Sequence, residues 1–387
     1  MMTESLDIQT RLLHHRHKTD PHNGAVSVGV QHASTFHQNS LEQFGAYDYA
    51  RSGNPTREAL EEIFAGLENG TDAFAFASGM AAISTTFMLL SSGDHLVITE
   101  DVYGGTFRMT TEVLTRLGIE HTFVDMTRVD EVKATLQDNT KMIFMETPSN
   151  PTMKITPIRD IVALAEAHDC LTVLDNTFMT PVLQRPLDLG VDIVVHSATK
   201  FIGGHSDVVS GLAVVKRPDL AGRLGFLQNS FGAIPGPDDC WLIMRGLKTL
   251  HTRMMVSQEV ASNLAHWLDV QPEVKRVYYP GFSDQLGNAI HAGQSDGPGA
   301  VLSFELADRE AVSRFSQAVE IPVFAVSLGA VESILSYPAK MSHAAMPDHE
   351  RVARGITDGL LRLSVGLESE ADLKRDFRQA FDSLARM

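Results

Sequence analysis

Cysteine is scarce in this chain of 387 residues, which has only Cys170 and Cys240. They stand far apart and form no CxxC pair, so the pattern argues against a disulfide framework or a cysteine metal site and for reduced, buried thiols. Long apolar runs are missing too, since none approaches the roughly 18 residues of a membrane span. The segment Met1 to Asp20 lacks the apolar centre of a signal peptide, which makes the cytoplasm the expected location. Positive charge is in deficit: Lys and Arg number 32 against 48 Asp and Glu, a formal net charge of −16. Such a balance opposes nucleic-acid backbones and anionic membranes, and no basic stripe relieves it. Neither GxGxxG nor GxxxxGK[ST] occurs, so dinucleotide and nucleoside-triphosphate sites gain no support. Internal repeats, heptads and low-complexity tracts are also missing.

What is present describes a globular chain, 43% apolar and 21% charged, longer than one hydrophobic core usually supports. A large domain plus a smaller one is expected. Residues 1–60 have little periodicity and end in Tyr47-Asp-Tyr-Ala-Arg-Ser-Gly-Asn-Pro-Thr56, which reads as an extended arm. Beyond it, helices are expected near 56–67, 79–90, 105–117, 129–137 and 158–168. They alternate with strands at 95–99, 120–124, 142–145, 171–174 and 193–195. Apolar strands separated by amphipathic helices indicate a mostly parallel sheet covered on both faces, an α/β domain over 61–256. Cys240 to Val270 reads as one long helix leading out of it, with Gly246 as the single strong breaker. Strands at 274–279, 300–305, 323–326 and 361–365 with helices at 309–319 and 371–386 describe a smaller α+β domain over 257–387.

The segment Asp192-Ile-Val-Val-His-Ser-Ala-Thr-Lys200 carries the chemistry. An amine at the end of an apolar strand is poorly solvated, which lowers its pKa and frees it to form an imine with an aldehyde. Ser197 and Thr199 suit a phosphate. In Ser78-Gly79-Met80, a helix opening after an apolar run offers main-chain amides and a dipole to an anion, although ordinary strand-to-helix turns look the same. Asp175 follows a second apolar run, where it either keeps a ring nitrogen protonated or caps the next loop. Aldehyde, phosphate and a ring nitrogen with an acidic partner together describe pyridoxal 5'-phosphate. Tyr103, just after the strand at 95–99, is placed to stack on that ring and move protons, or is simply a loop tyrosine. Arg362 interrupts an apolar strand. An unpaired buried guanidinium costs about 3–5 kcal/mol, so it needs either a substrate carboxylate or a structural salt bridge. His14-His15-Arg16-His17 reads as solvated histidines rather than a metal tract, the sixteen methionines as packing residues, and His343 and His349 as candidate site-lining residues.

The run Asp192 to Lys200 continued by Phe-Ile-Gly-Gly-His-Ser206 resembles the pyridoxal-phosphate attachment signature of the Cys/Met-metabolism enzymes, the cystathionine γ-synthase family. Tyr49 and Arg51 with Gly53-Asn-Pro-Thr56, Ser78-Gly79-Met80, Tyr103-Gly104-Gly105, Glu146-Thr-Pro-Ser-Asn150-Pro-Thr152, Asp175-Asn-Thr177 and Ser327-Leu-Gly329 match further family blocks in order. The resemblance implies a fold-type-I, aspartate-aminotransferase-like subunit with Lys200 bonded to the cofactor. It implies that the amides of Gly79 and Met80 with Ser78, Ser197 and Thr199 hold the phosphate, and that Asn150 and Ser327 accompany Arg362 at the substrate. It further implies that Tyr49 and Arg51 reach the phosphate of a neighbouring subunit, in a homodimer that pairs into a homotetramer. Val326 stands where γ-acting relatives on cystathionine tend to carry glutamate, and Gly105 where methionine γ-lyases tend to carry cysteine. Overall the chain resembles the cystathionine β-lyases of Gram-positive bacteria, so α,β-elimination of cystathionine is the expected reaction. Cystathionine γ-lyase, γ-synthase or methionine γ-lyase chemistry, and a cofactor-binding regulator without turnover, are the alternatives.

Overall fold

A computed structural model of the chain describes residues 6–14, 23–283, 287–344 and 346–384. His15, Arg16 and His17 lie outside the described residues. The larger sheet has seven strands: β1 (Asp72–Phe76), β2 (His95–Thr99), β3 (Glu120–Val124), β4 (Thr140–Glu146), β5 (Leu171–Asp175), β6 (Ile193–Ser197) and β7 (Gly211–Val215). Their order is β1-β7-β6-β5-β4-β2-β3. β2 pairs in parallel with β3 and β4, and β4 with β5, while β7 runs antiparallel to β1 and β6. Every residue of β2 and β7 is buried, as apolar strands covered on both faces require. The expected α/β class with a mostly parallel sheet is borne out.

By compactness the chain divides into two units, residues 1–89 with 185–251 and residues 90–184 with 252–387. These follow contacts in space and cut across the three consecutive segments read along the sequence. In the first unit, Asn54 caps the helix Pro55–Leu67 by accepting hydrogen bonds from the Thr56 and Arg57 amides, with Pro55 preset for the first turn. Leu60, Ile63, Phe64 and Leu67 form its buried stripe. The single long helix expected from Cys240 to Val270 is instead two, Pro237–Leu247 and Leu250–Asp269. Gly246 explains the break. A Cβ there would lie 2.4 Å from the Gly203 carbonyl oxygen and 2.6 Å from that of Ile202. The helix is therefore pinned on that loop and turns just beyond, where the Thr249 amide bonds the Gly246 carbonyl at 3.2 Å.

The second unit also contains a smaller sheet of β8 (Arg276–Tyr278), β9 (Val301–Glu305), β10 (Val323–Phe324), β11 (Ile334–Ser336) and β12 (Leu360–Ser364), in the order β10-β11-β12-β9-β8. Helices Arg309–Ala318 and Glu370–Leu384 lay Phe315, Phe377 and Phe381 against Phe304 of β9. Phe315 and Phe377 meet edge to face at 5.5 Å. The helix expected over 105–117 is broken: an α-turn at Gly104–Arg108 passes into a π segment, Met109–Val113, and a 3-10 turn, Leu114–Leu117. The Thr110, Thr111 and Thr115 hydroxyls each donate to the carbonyl four residues back, a competition that bends and rewinds helices. Among the described residues no helix is long and apolar enough to cross a membrane, and no group of metal-ligating side chains assembles.

Gly246→Ala tests the close approach. Alanine is favoured over glycine in a helix by about 1 kcal/mol, but forcing a methyl against two carbonyl oxygens costs about 1–3 kcal/mol. The clash should win, and urea unfolding is expected to show a net loss of stability.

Candidate active site

The first unit holds an anion cradle. β1 ends at Phe76 and the helix Gly79–Phe87 starts three residues later. Ser78 is extended at its N-cap, and its Oγ accepts from the Ala81 amide at 3.0 Å while its carbonyl accepts from Ala82 at 3.1 Å. Helix geometry then leaves the Gly79 and Met80 amides without main-chain acceptors, at the positive end of the dipole. A Cβ on Gly79 would sit 2.7 Å from that of Ser197, and a Cβ on Gly211 only 2.1 Å from the Ser78 carbonyl oxygen. Two glycines thus let this helix end settle onto the end of β6, and amides so presented are the donors a phosphate would need.

Ser197 closes β6, and Lys200 follows in a turn where its amide bonds the Ser197 carbonyl at 3.2 Å and its carbonyl accepts from Gly204 at 2.8 Å. Lys200 is half-buried. The Thr199 hydroxyl donates to the Ser210 carbonyl at 3.2 Å and accepts from the Ser210 amide at 3.1 Å, so it braces the turn. Tyr49 and Arg51 are exposed on the arm, the guanidinium lying 5.5 Å over the Tyr49 ring and donating to the Asn229 carbonyl at 2.6 Å.

The second unit holds the carboxylates and the guanidinium. Asp175 ends β5, and its Oδ1 accepts from the amide and hydroxyl of Thr177. Loop capping accounts for these bonds, and a carboxylate has enough acceptor capacity both to cap and to pair with a ring N–H. Glu146 ends β4 directly opposite Asp175 in the strand register. It is buried and its Oε2 accepts from the Tyr103 amide at 3.0 Å. Burial first, and then Asp175, push its carboxyl well above the usual carboxylate range. No role for Glu146 is read from the sequence. The available signal was that two acidic residues end runs that become adjacent parallel strands. Tyr103, anchored through its amide, keeps a side chain that is 40% exposed.

Arg362 lies on β12 and is only 2% exposed. It donates to Asn150 Oδ1 at 2.8 Å and to the Ser327 carbonyl at 2.6 Å, and its Nε is buried without an acceptor. No ion pair within the described residues neutralises it, so the structural salt bridge is not what is found. Burial pulls its pKa down to about 10, with Glu146 and then Tyr103 opposing, and the guanidinium stays charged at neutral pH. Asn150 is fixed because buried Asp101 accepts from Ser149 and Thr152 on either side of it. Ser327 presents its carbonyl from a left-handed conformation, φ 87°. Of the two candidate histidines, His349 is exposed on the short helix Asp348–Ala353 rather than in a loop, whereas His343 is fully buried, with its Nδ1 2.9 Å from Ser342 Oγ.

Comparison with known proteins places these features in context. Residues 9–382 match the family model described as Cys/Met metabolism PLP-dependent enzyme. A protein of Bacillus subtilis named cystathionine beta-lyase MetC is 64% identical over 385 residues, covering 100% of this chain and 99% of its own length. A cystathionine gamma-lyase of the same organism is 47% identical over 376 residues, 97% of this chain and 99% of its own. The crystal structure of cystathionine gamma-lyase from Lactobacillus plantarum with L-serine superposes with a TM-score of 0.95 at 45% identity, over 98% of this chain and 100% of that one.

His343 gives a prediction about acid. Burial, and then the charge of Arg362, lower its pKa from 6.5 to about 4. Below pH 6.5 the unfolded chain binds a proton that the folded chain refuses, so this group's stability is full above that pH and lost as pH falls toward 4. The slope is about 1.4 kcal/mol per pH unit. Between pH 7.5 and 5, His343→Gln should lose about 2 kcal/mol less stability than the parent in urea unfolding. Equal losses would contradict the buried neutral imidazole.

Proposed function

The chain belongs to the Cys/Met metabolism PLP-dependent enzyme family, and from that premise we infer that it is a carbon–sulfur lyase of methionine biosynthesis. It cleaves the Cβ–S bond of L-cystathionine to give homocysteine, pyruvate and ammonia. The full-length likeness to a β-lyase, closer than that to the γ-lyase of the same organism, carries this assignment. Val326, 64% exposed beside Ser327, agrees, because γ-acting relatives tend to place glutamate there.

Pyridoxal 5'-phosphate, when bound, supplies the electron sink that makes the substrate's Cα proton removable. Lys200 Nζ would bond its aldehyde carbon, and the Gly79 and Met80 amides with Ser78, Ser197 and Thr199 would hold its phosphate. Thr199 reaches it by exchanging its bond to Ser210. Asp175 holds a proton at the ring nitrogen. The substrate carboxylate would meet Arg362, flanked by Asn150 and the Ser327 carbonyl, which orients the substrate. Tyr103 would lie at the cofactor and accept the proton that leaves the substrate amine nucleophilic. Lys200 Nζ, once released, takes the Cα proton, and the Cβ–S electron pair departs with sulfur. Water then completes the release of pyruvate and ammonia.

The arm residues Tyr49 and Arg51 serve a neighbouring subunit's phosphate in a homodimer that pairs into a homotetramer. Their exposure, in a residue pair suited to an anion, supports this. The segments 61–256 and 257–387 act as cofactor-binding and smaller C-terminal domains, and the chain works in the cytoplasm, where buried Cys170 and Cys240 stay reduced.

Incubation with cystathionine should yield pyruvate and homocysteine in equal amounts; 2-oxobutyrate and cysteine would reject the assignment. Arg362→Ala should lower kcat/KM by roughly a hundredfold or more, the worth of two hydrogen bonds to a charged group, with the cofactor's absorbance retained. Neither Arg51→Ala nor Lys200→Ala should be active alone, while their mixture after subunit exchange should regain activity. A mixture that stays dead after confirmed exchange would mean that each site is built within one chain.

A further inference from the structure

Arg57 lies in the first turn of the helix Pro55–Leu67, where the dipole disfavours a cation, and yet it is only 3% exposed. Helix electrostatics do not account for it, and its contacts do. One terminal nitrogen donates to the Ala50 carbonyl at 2.8 Å and the other to the Arg51 carbonyl at 3.2 Å. Its Nε lies 3.5 Å from Glu61 Oε1. That same Glu61 oxygen accepts from the Ala75 amide of β1 at 2.8 Å and from Gln228 Nε2 at 3.1 Å, and Gln228 also donates to the Ala75 carbonyl at 2.8 Å. A polar chain therefore runs from an edge strand of the larger sheet to two consecutive carbonyls of the arm, its Arg57–Glu61 link being an ion pair in which Nε makes no hydrogen bond.

Those carbonyls belong to the stretch between Tyr49 and Arg51. Both residues are exposed, and the stretch's other ties are the Ala50 amide to the Ser34 carbonyl at 2.9 Å, an isolated bridge between Thr35 and Tyr49, a turn closed on the Tyr49 carbonyl, the Tyr49 amide to Asp48 Oδ1, and the Arg51 guanidinium to the carbonyl and Oδ1 of Asn229 at 2.6 and 3.1 Å. A planar guanidinium spans two adjacent carbonyls in a way a lysine ammonium does not. We propose that Arg57 is a positioning residue for the reaction: its fork on the Ala50 and Arg51 carbonyls fixes the arm so that Tyr49 and Arg51 meet the cofactor phosphate in the neighbouring subunit. This rests on the reading that the arm crosses between subunits. Arg57 itself touches neither cofactor nor substrate, and its effect is delivered to the other subunit's site.

That delivery makes the test specific. Arg57→Lys keeps the charge beside Glu61, so its thermal midpoint should stay near the parent's while the apparent Kd for pyridoxal phosphate rises roughly tenfold, the worth of one charge-assisted hydrogen bond. An unchanged Kd overturns the proposal. Arg57→Gln, assayed at low cofactor, should be weak alone. Mixed with Lys200→Ala and allowed to exchange, it should regain about a quarter of parental activity, since half the dimers are mixed and each has one complete site. A merely structural defect in Arg57→Gln would not be cured by a partner. If Arg51→Ala complements Lys200→Ala but Arg57→Gln does not, the role of Arg57 falls and the crossing arm stands. If neither complements after confirmed exchange, the crossing arm falls and the proposal with it.

Discussion

Burying the Arg362 guanidinium with no ion pair among the described residues, and with Glu146 acting on it only from beyond ion-pair distance, leaves a charge whose desolvation is only partly offset, a state that costs roughly 3–5 kcal/mol when a partner is lost. Much of the second unit exists to sustain that state. Asn150 donates no charge but accepts a bond at 2.8 Å, and it is held in place by Ser149 and Thr152 on Asp101. Ser327 offers a carbonyl from a conformation that non-glycine residues seldom adopt. His343, kept neutral by burial first and by the same guanidinium second, packs beside it without competing for its partners. In the function proposed, a substrate carboxylate supplies the missing charge, and the stabilisation withheld in the free protein appears on binding.

The first unit shows the same incompleteness, again a positive site without its anion. Two main-chain amides at the start of a helix are brought onto the end of β6 by glycines that tolerate no Cβ. In a chain of net charge −16, an anionic cofactor is not drawn in by the overall field. In the function proposed, placed amides and hydroxyls hold it, and Tyr49 and Arg51 of the arm must arrive in the right geometry. The polar chain through Glu61 and Arg57 addresses that need.

Much of this was legible in the residues because the parallel strands are apolar nearly throughout. Strands β2 through β6 were read within two residues, and Lys200, Asp175 and Arg362 stood out because each ends or interrupts such a run. What escaped depends on contacts distant in sequence. Strand β7, a short run opened by Gly211, has no local punctuation that separates it from a loop, and β1 was noticed only as an apolar run before a helix. Glu146 acquires meaning only from its register with Asp175, and Arg57 only from two carbonyls that precede its own helix. The break at Gly246 and the rewound helix after Tyr103 come from a backbone neighbour and from threonine hydroxyls, neither of which hydrophobic periodicity records.

The claim at the centre is that one nitrogen, Lys200 Nζ, is where the cofactor attaches. Loading the protein with pyridoxal phosphate, reducing it with borohydride and mapping the tryptic peptides by mass spectrometry tests it most directly. The account predicts a pyridoxyl group on the peptide that contains Lys200 and on no other lysine. A coloured, loaded protein that carries the label elsewhere, or that loses all cofactor after reduction, would contradict it.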